Sequence, residues 1–319
     1  MNARTAYVTH SDCSRHDTGW RHPEHQGRLP AVARAVHRDM VVLHEHLVEV
    51  EGVPALPEHL RLAHTAEYVA RVEGRCNEAV AAGEVLPLGK GVVVSGASWD
   101  AALAAVGCVL TAVEWVEQGN AANAFCAVRP PGHGASASVP GGYGIFNSVA
   151  IAARRLREGE SGKRVWVVDV GAAPGSGTVS ILHDDAAVHL VDVSEQRDEE
   201  EPRNVSPERL SAARLPRRSS GRALLEALRS ALDRAEDHLV PDFVLFSLGC
   251  DALAADPLGS LSLAPRDYYD LTAEIRERAE RLCGGRLVSV LEEGYDTEGM
   301  GRAVVQHLRA LASLPPHED

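Results

Sequence analysis

The stretch Arg164-Val-Trp-Val-Val-Asp169-Val-Gly171-Ala-Ala-Pro-Gly175-Ser-Gly177-Thr178 decides how the chain folds. Residues 164–170 form a β-branched run with one aromatic, which suits a buried strand of a parallel sheet. Gly171 ends the run, and Gly175-Ser176-Gly177 allows a tight turn before a helix that begins near Thr178. In open α/β sheets, ligands bind where the carboxyl ends of strands meet such turns. Asp169 is therefore expected at a strand tip, with the following turn lining a site.

Outward from this stretch, composition sets the limits. A chain of 319 residues with 45% hydrophobic content can bury a large core, and one α/β domain spanning residues 1–319 is expected. A net charge of -13 without a basic patch argues against nucleic acid as a partner. Cys13, Cys76, Cys108, Cys126, Cys250 and Cys283 are scattered without a CxxC pair, and no signal peptide or long apolar span is evident. Buried, reduced thiols, a cytoplasmic location and no membrane partner are the expectation.

In chain order, residues 6–9 read as a first strand. His16-Asp17-Thr18-Gly19 and His22-Pro23-Glu24-His25 follow in a polar loop whose spacing lacks a helical metal-ligand pair, so it reads as an anchor. Helices are expected over 28–40, 63–76 and 98–117. The strand 123–128 runs into Arg129-Pro130-Pro131-Gly132-His133-Gly134, where prolines stiffen the chain and place His133 at the strand tip. Gly141-Gly142-Tyr143-Gly144-Ile145-Phe146-Asn147 leads into a helix over 148–158. A strand over 188–193 carries Asp192. The charge-dense segment 195–221 reads as a mobile surface excursion, either a plain loop or a lid. A helix over 222–238, the strand 243–248 with Asp251 and Asp256 beyond its tip, a helix over 266–283 and the strand 286–291 complete the pattern. The last strand runs into Glu292-Glu293-Gly294-Tyr295-Asp296, and a final helix ends near Leu311.

The motifs at residues 129–133, 142–147, 256–259 and 291–295, with His-Asp-Thr-Gly and His-Pro-Glu near the start, resemble the histone deacetylase family in its class II and bacterial branch. The resemblance covers roughly the whole chain. It implies the three-layer α/β/α arginase/deacetylase fold, with a mostly parallel sheet of about eight strands between helical layers. It also implies hydrolysis of acetyl-lysine or acetyl-polyamine amides by one zinc ion.

The departures fall on the opening stretch. The family motif there is Asp-x-Asp-x-His-His-Gly-x-Gly; anchored on Gly175 and Gly177, its first Asp is Asp169. The two zinc ligands within it fall on Gly171 and Ala173, and the adjacent His falls on Pro174. Asp256 alone keeps a ligand type, and one carboxylate cannot hold a zinc that needs three protein ligands. Of the two tandem histidines the first is kept as His133, backed by Asp169; the second falls on Gly134 and its backing acid on Ser176. Tyr295 matches the oxyanion-stabilising tyrosine.

The resulting expectation is a metal-independent acid/base enzyme acting on a small-molecule or acyl-amine-type ligand. His133 with Asp169 is the general base, Tyr295 the proton donor, and Asp256 a further carboxylate. Gly134, Tyr143, Phe146, Gly171, Ala173, Pro174 and Ser176 line its pocket. Three alternatives stay open: an inactive binder of an acyl-lysine-like ligand or partner protein, an adenosylmethionine site in the 171–177 loop with Asp192 at the ribose, or a zinc amidohydrolase that recruits His183 or His189. No cofactor is expected, zinc included, although an oxygen-rich potassium site on Asp169 and Asp192 is compatible with the resemblance.

Overall fold

A computed structural model describes residues 4–158, 162–196 and 205–318. In chain order it contains β1 (Thr5–Thr9), α1 (Arg28–Leu43), β2 (Leu47–Glu51), α2 (Pro57–Leu60), α3 (Ala66–Ala82), β3 (Leu86–Gly89), β4 (Val92–Val94), α4 (Ser98–Glu117), β5 (Asn123–Cys126) and α5 (Ser148–Leu156). Then come β6 (Val165–Val170), α6 (Ser176–Leu182), β7 (Val188–Glu195), β8 (Leu210–Leu215), α7 (Gly221–His238), β9 (Phe243–Leu248), α8 (Asp267–Cys283), β10 (Leu287–Leu291) and α9 (Thr297–Leu311).

Eight strands form one sheet in the order β2-β1-β5-β10-β9-β6-β7-β8, and every pairing in it is parallel. β6 is near its middle and buried on both faces, as its unbroken Val-Trp-Val-Val run requires. One helical layer comprises α1, α9, α8 and α7, packed in series; α3, α4, α5 and α6 form the other. This is the three-layer α/β/α arginase/deacetylase arrangement. Because all eight strands run the same way, the loops after β5, β6, β9 and β10 gather at one edge.

Two elements depart from the sequence reading. β8 lies inside segment 195–221, where only a surface excursion was expected; Leu210 and Leu215 pack inward while the sequence between them is small or charged. The remaining part of that expectation, residues 197–204, lies outside the described residues. The hairpin β3–β4 was also unanticipated, because Leu86-Pro-Leu-Gly89 has little strand propensity of its own. α4 is long and apolar enough to cross a membrane by composition, yet most of its residues are buried against β1, β5, β10 and α5.

Candidate active site

His133 follows the tip of β5 and Asp169 lies near the end of β6, with β10 and β9 between the two strands. Asp169 Oδ2 is 2.8 Å from His133 Nδ1, and both residues are almost wholly buried. The loop carrying His133 is tied to its neighbours from several sides. Glu292 Oε2 accepts the backbone N–H of Gly132 at 2.7 Å and of His133 at 3.2 Å. The Thr178 N–H, in the first turn of α6, donates to His133 O at 3.0 Å, and Asn147 Nδ2 donates to Ala135 O at 3.0 Å. The loop is thus held by the Glu292 and Asn147 side chains and the Thr178 N–H, while the ring itself is fixed by Asp169.

The other ring nitrogen meets a group absent from the expected site. Glu293 Oε2 lies in ion-pair contact with His133 Nε2, off the line of a settled hydrogen bond. Neither Glu293 oxygen has a hydrogen-bond donor, and the Tyr295 hydroxyl is equally unpartnered. Glu293 was legible in the sequence only as one of two acids ending a strand. Consecutive residues on an extended chain point to opposite sides. Glu292 therefore turns to the backbone of 132–133 and Glu293 to the imidazole.

Charge follows from this geometry. Burial works against a charged imidazole, but the carboxylates of Asp169 and Glu293 override it and hold His133 well above its ordinary pKa. The two flanking carboxylates therefore favour the protonated ring, with Nδ1 hydrogen-bonded to Asp169 and Nε2 in ion-pair contact with Glu293. Burial pushes the Asp169 carboxyl up to about 6 and that of Glu292 to about 7, each partly offset by the His133 charge. Burial and the nearby Glu293 also raise Tyr295 well above the usual phenol range.

Above this chain sits an aromatic corner. The Tyr143 ring meets the Tyr295 ring edge to face with centroids 5.7 Å apart, and His22 at 4.7 Å. Tyr143 adopts φ +56°, an uncommon conformation for a non-glycine residue and one that concentrates at ligand-contacting loops. Gly142 beside it is exposed, and a Cβ there would lie 2.9 Å from Glu293 Oε1.

Several expected site residues are placed elsewhere. The Asp256 carboxylate faces no ligand space: Oδ1 accepts the N–H groups of Leu258 and Gly259, and Oδ2 those of Tyr295 and Asp296, at 2.7–3.2 Å. It clamps the Tyr295 loop. Phe146 is buried among Tyr68, His64 and Trp99. Ser176 is exposed at the start of α6, while Ala173 and Pro174 are half-buried in the turn beside it. Asp192 Oδ1 receives the guanidinium of Arg214 at 2.8 Å. His183 and His189 engage backbone and Ser211 rather than the His133 region. In the 171–177 loop the Ala172 and Ala173 N–H groups donate to Asp251, 2.8 and 2.7 Å away.

The N-terminal loop is an anchor, as its spacing suggested. Glu24, fully buried, accepts from Arg28 Nη1 at 2.9 Å and from Arg129 Nε and Nη2 at 2.5 and 2.6 Å. Arg28 Nε in turn donates to Gly294 O at 2.8 Å, so this ion cluster holds together the loops that carry His133 and Glu293.

Zinc does not fit the position implied by the resemblance. Gly171 and Ala173 offer no donor side chain, and Asp256 is saturated by backbone. The space has also closed. A Cβ on Gly171 would sit 2.8 Å from Asp251 Oδ1, and one on Gly134 would sit 2.6–2.8 Å from the backbone of Gly141 and Gly142. A different set of donors, His133, Glu292 and Glu293, does lie within 4.8 Å of one another. A ligating imidazole must be neutral, so a metal held by these three groups would have to displace the proton that the flanking carboxylates favour on the ring.

The comparisons with known proteins agree with this architecture. A histone deacetylase domain model matches residues 22–311. The chain is 28% identical to "Histone deacetylase 10, chloroplastic" of Oryza sativa subsp. japonica, over 92% of this chain and 70% of that protein. It is also 28% identical to a "Probable deacetylase" of Archaeoglobus fulgidus, over 92% of this chain and 82% of that one. The crystal structure of the HDA15 HD domain superposes with a TM-score of 0.82 at 22% identity, covering 96% of this chain and 90% of that one. With the motif order, the parallel sheet and the surviving His133–Asp169 pair, the match to the domain model leads to one conclusion: the chain belongs to the histone deacetylase family.

Proposed function

We propose that this deacetylase-family protein is a metal-independent acid/base enzyme whose ligand-facing group is Glu293. The observation that supports the reading is the contact of Glu293 with His133 Nε2, beside the unpartnered hydroxyl of Tyr295. Asp169, His133 and Glu293 form a chain of two acids and one ring that shares its protons and exchanges one with a ligand at its outer end. Tyr295 supplies a hydrogen bond to developing negative charge. Each such proton transfer contributes about 10²–10⁴-fold, which suits activated esters and eliminations better than unactivated amides. A potassium ion is proposed behind the site. The second Asp192 oxygen and the Ser247 hydroxyl are buried without partners in the same row of the sheet as Asp169, an oxygen set suited to a hard cation. Bound there, it would offset the Asp169 and Asp192 charges.

The test is p-nitrophenyl acetate cleavage with and without a zinc chelator. Cleavage that survives chelation and falls at least about 100-fold in Glu293→Gln is expected. Activity abolished by chelation, or unchanged in that variant, would overturn the reading. The near-complete cover over Glu293 and Tyr295 favours one second reading, a site that binds without turnover. It corresponds to ligand binding with no cleavage at all.

A further inference from the structure

A second opening lies at the same edge of the sheet, away from His133. β1 is followed by α1 of one helical layer, whereas its two neighbours, β2 and β5, lead to α3 and α5 of the other. The chain therefore leaves these strands in opposite directions, and a crevice opens at the carboxyl end of β1, where open α/β sheets take ligands. A cleft of about 700 Å³ occupies it, a volume usual for small-molecule sites, and none of its lining residues belongs to the His133 site. Register builds one wall. Tyr7 pairs with Glu49 and Thr9 with Glu51, and alternate residues of a strand face the same way, so the four side chains share one face. α1 meets that face with Leu29, Pro30 and Ala33, which are too short to fill it. Tyr7 is only 9% exposed, yet its hydroxyl makes no hydrogen bond to a described residue. Burial and the nearby Glu49 raise its pKa, so it stays a neutral donor. A hydroxyl left this way costs free energy unless something engages it. Glu49 and Glu51 are likewise without an ion pair among the described residues, and no lysine or arginine lines the cleft. His10 accepts the Asp12 N–H at Nδ1, 3.1 Å away, and so brings no fixed positive charge.

We propose that this cleft binds a small organic cation that carries several hydroxyls, an amino sugar in the simplest case. The positive charge lies against Glu49 and Glu51, which nothing else in the cleft offsets. The ligand's hydroxyls exchange hydrogen bonds with Tyr7, Thr9 and Ser14, and its carbon face rests on Leu29, Pro30 and Ala33. A phosphorylated or carboxylated sugar is disfavoured, because two carboxylates repel it and no base compensates. His10, Glu49 and Glu51 do not converge closely enough to ligate a metal ion together. The proposal stands apart from the chemistry at His133 and does not rest on it.

Calorimetric titration of the full chain with glucosamine, at about pH 6 where its amine is charged, tests it against glucose, cyclohexylamine and glucuronate. One exposed carboxylate beside a unit charge contributes about fivefold in water, so the two together should favour glucosamine over glucose by at least about tenfold. Glucosamine should also bind severalfold tighter than cyclohexylamine, which keeps the charge and the ring but lacks the hydroxyls, and glucuronate should not bind. Glu49→Gln combined with Glu51→Gln is expected to bring glucosamine down to the affinity of glucose, and Tyr7→Phe to weaken it severalfold. Ala33→Trp, on the exposed side of α1, should fill the cleft and abolish binding. Circular dichroism confirms that each variant keeps its fold. Glucose, glucuronate or cyclohexylamine binding the wild type as tightly as glucosamine overturns the proposal without any variant. So does the absence of glucosamine binding at millimolar concentration, or wild-type affinity in the double Gln variant or in Ala33→Trp.

Discussion

Arg129→Met is expected to lower the stability of the fold by about 3–5 kcal/mol, as removal of one partner of a buried ion pair does. The Arg129 guanidinium is fully buried and gives both Glu24 carboxylate oxygens a hydrogen bond, with further bonds to the carbonyls of Glu24 and His16. Without it, Glu24 keeps only Arg28 as a charged donor in a space sealed from water. The methionine fills part of the volume but supplies no donor. Since domains of this kind are stable by only about 5–15 kcal/mol, the loss is a large share of the whole. Urea unfolding followed by tryptophan fluorescence measures it. A change below about 1 kcal/mol would show that the cluster does not hold these loops together.

The second large effect concerns the position where the family carries its second histidine. Gly134→His is expected to destabilise the protein by about 3 kcal/mol or more and to restore no amide hydrolysis. A Cβ at 134 meets the Gly141 carbonyl at 2.6 Å and the Gly142 nitrogen at 2.8 Å, both backbone atoms that cannot swing aside. At Gly171, by contrast, the obstacle is a carboxylate oxygen, Asp251 Oδ1. Gly171→Ala should therefore be tolerated better than Gly134→Ala, and a comparison of the two melting temperatures checks the ranking. Neither position is open space: a side chain at 134 meets backbone and one at 171 meets the Asp251 carboxylate.

Much of this was readable in the chain. Continuous apolar runs located β6, β9 and β10, and the prolines after β5 set His133 near a strand tip. The Asp169–His133 pairing followed from motif alignment. Other features depend on where side chains turn, which spacing does not reveal. Asp256 keeps a zinc ligand's residue type yet spends both oxygens on four backbone N–H groups. Phe146 sits among motif residues but faces the core. β8 hides in a charged segment because its strand is held by pairing with β7 rather than by its own pattern. Glu293 carries the most weight and was the hardest to see, since its importance comes from facing the second nitrogen of a histidine 160 residues earlier.

The central claim is that a proton, and no metal, stands between His133 Nε2 and Glu293. Burial opposes the charged ring and the two flanking carboxylates overcome it, so the folded pKa of His133 lies well above its ordinary value of about 6.5. For a raised pKa, the stabilisation is complete below about 6.5 and is lost as pH climbs through the folded value, on the alkaline side. Nitrogen-15 NMR of the histidine rings at pH 7.5, after incubation with zinc and dialysis, reads this state directly. The expected result is a His133 ring protonated on both nitrogens, deprotonating only at higher pH. A ring with one proton on Nδ1 and a metal-shifted Nε2, together with one zinc per chain, would contradict it.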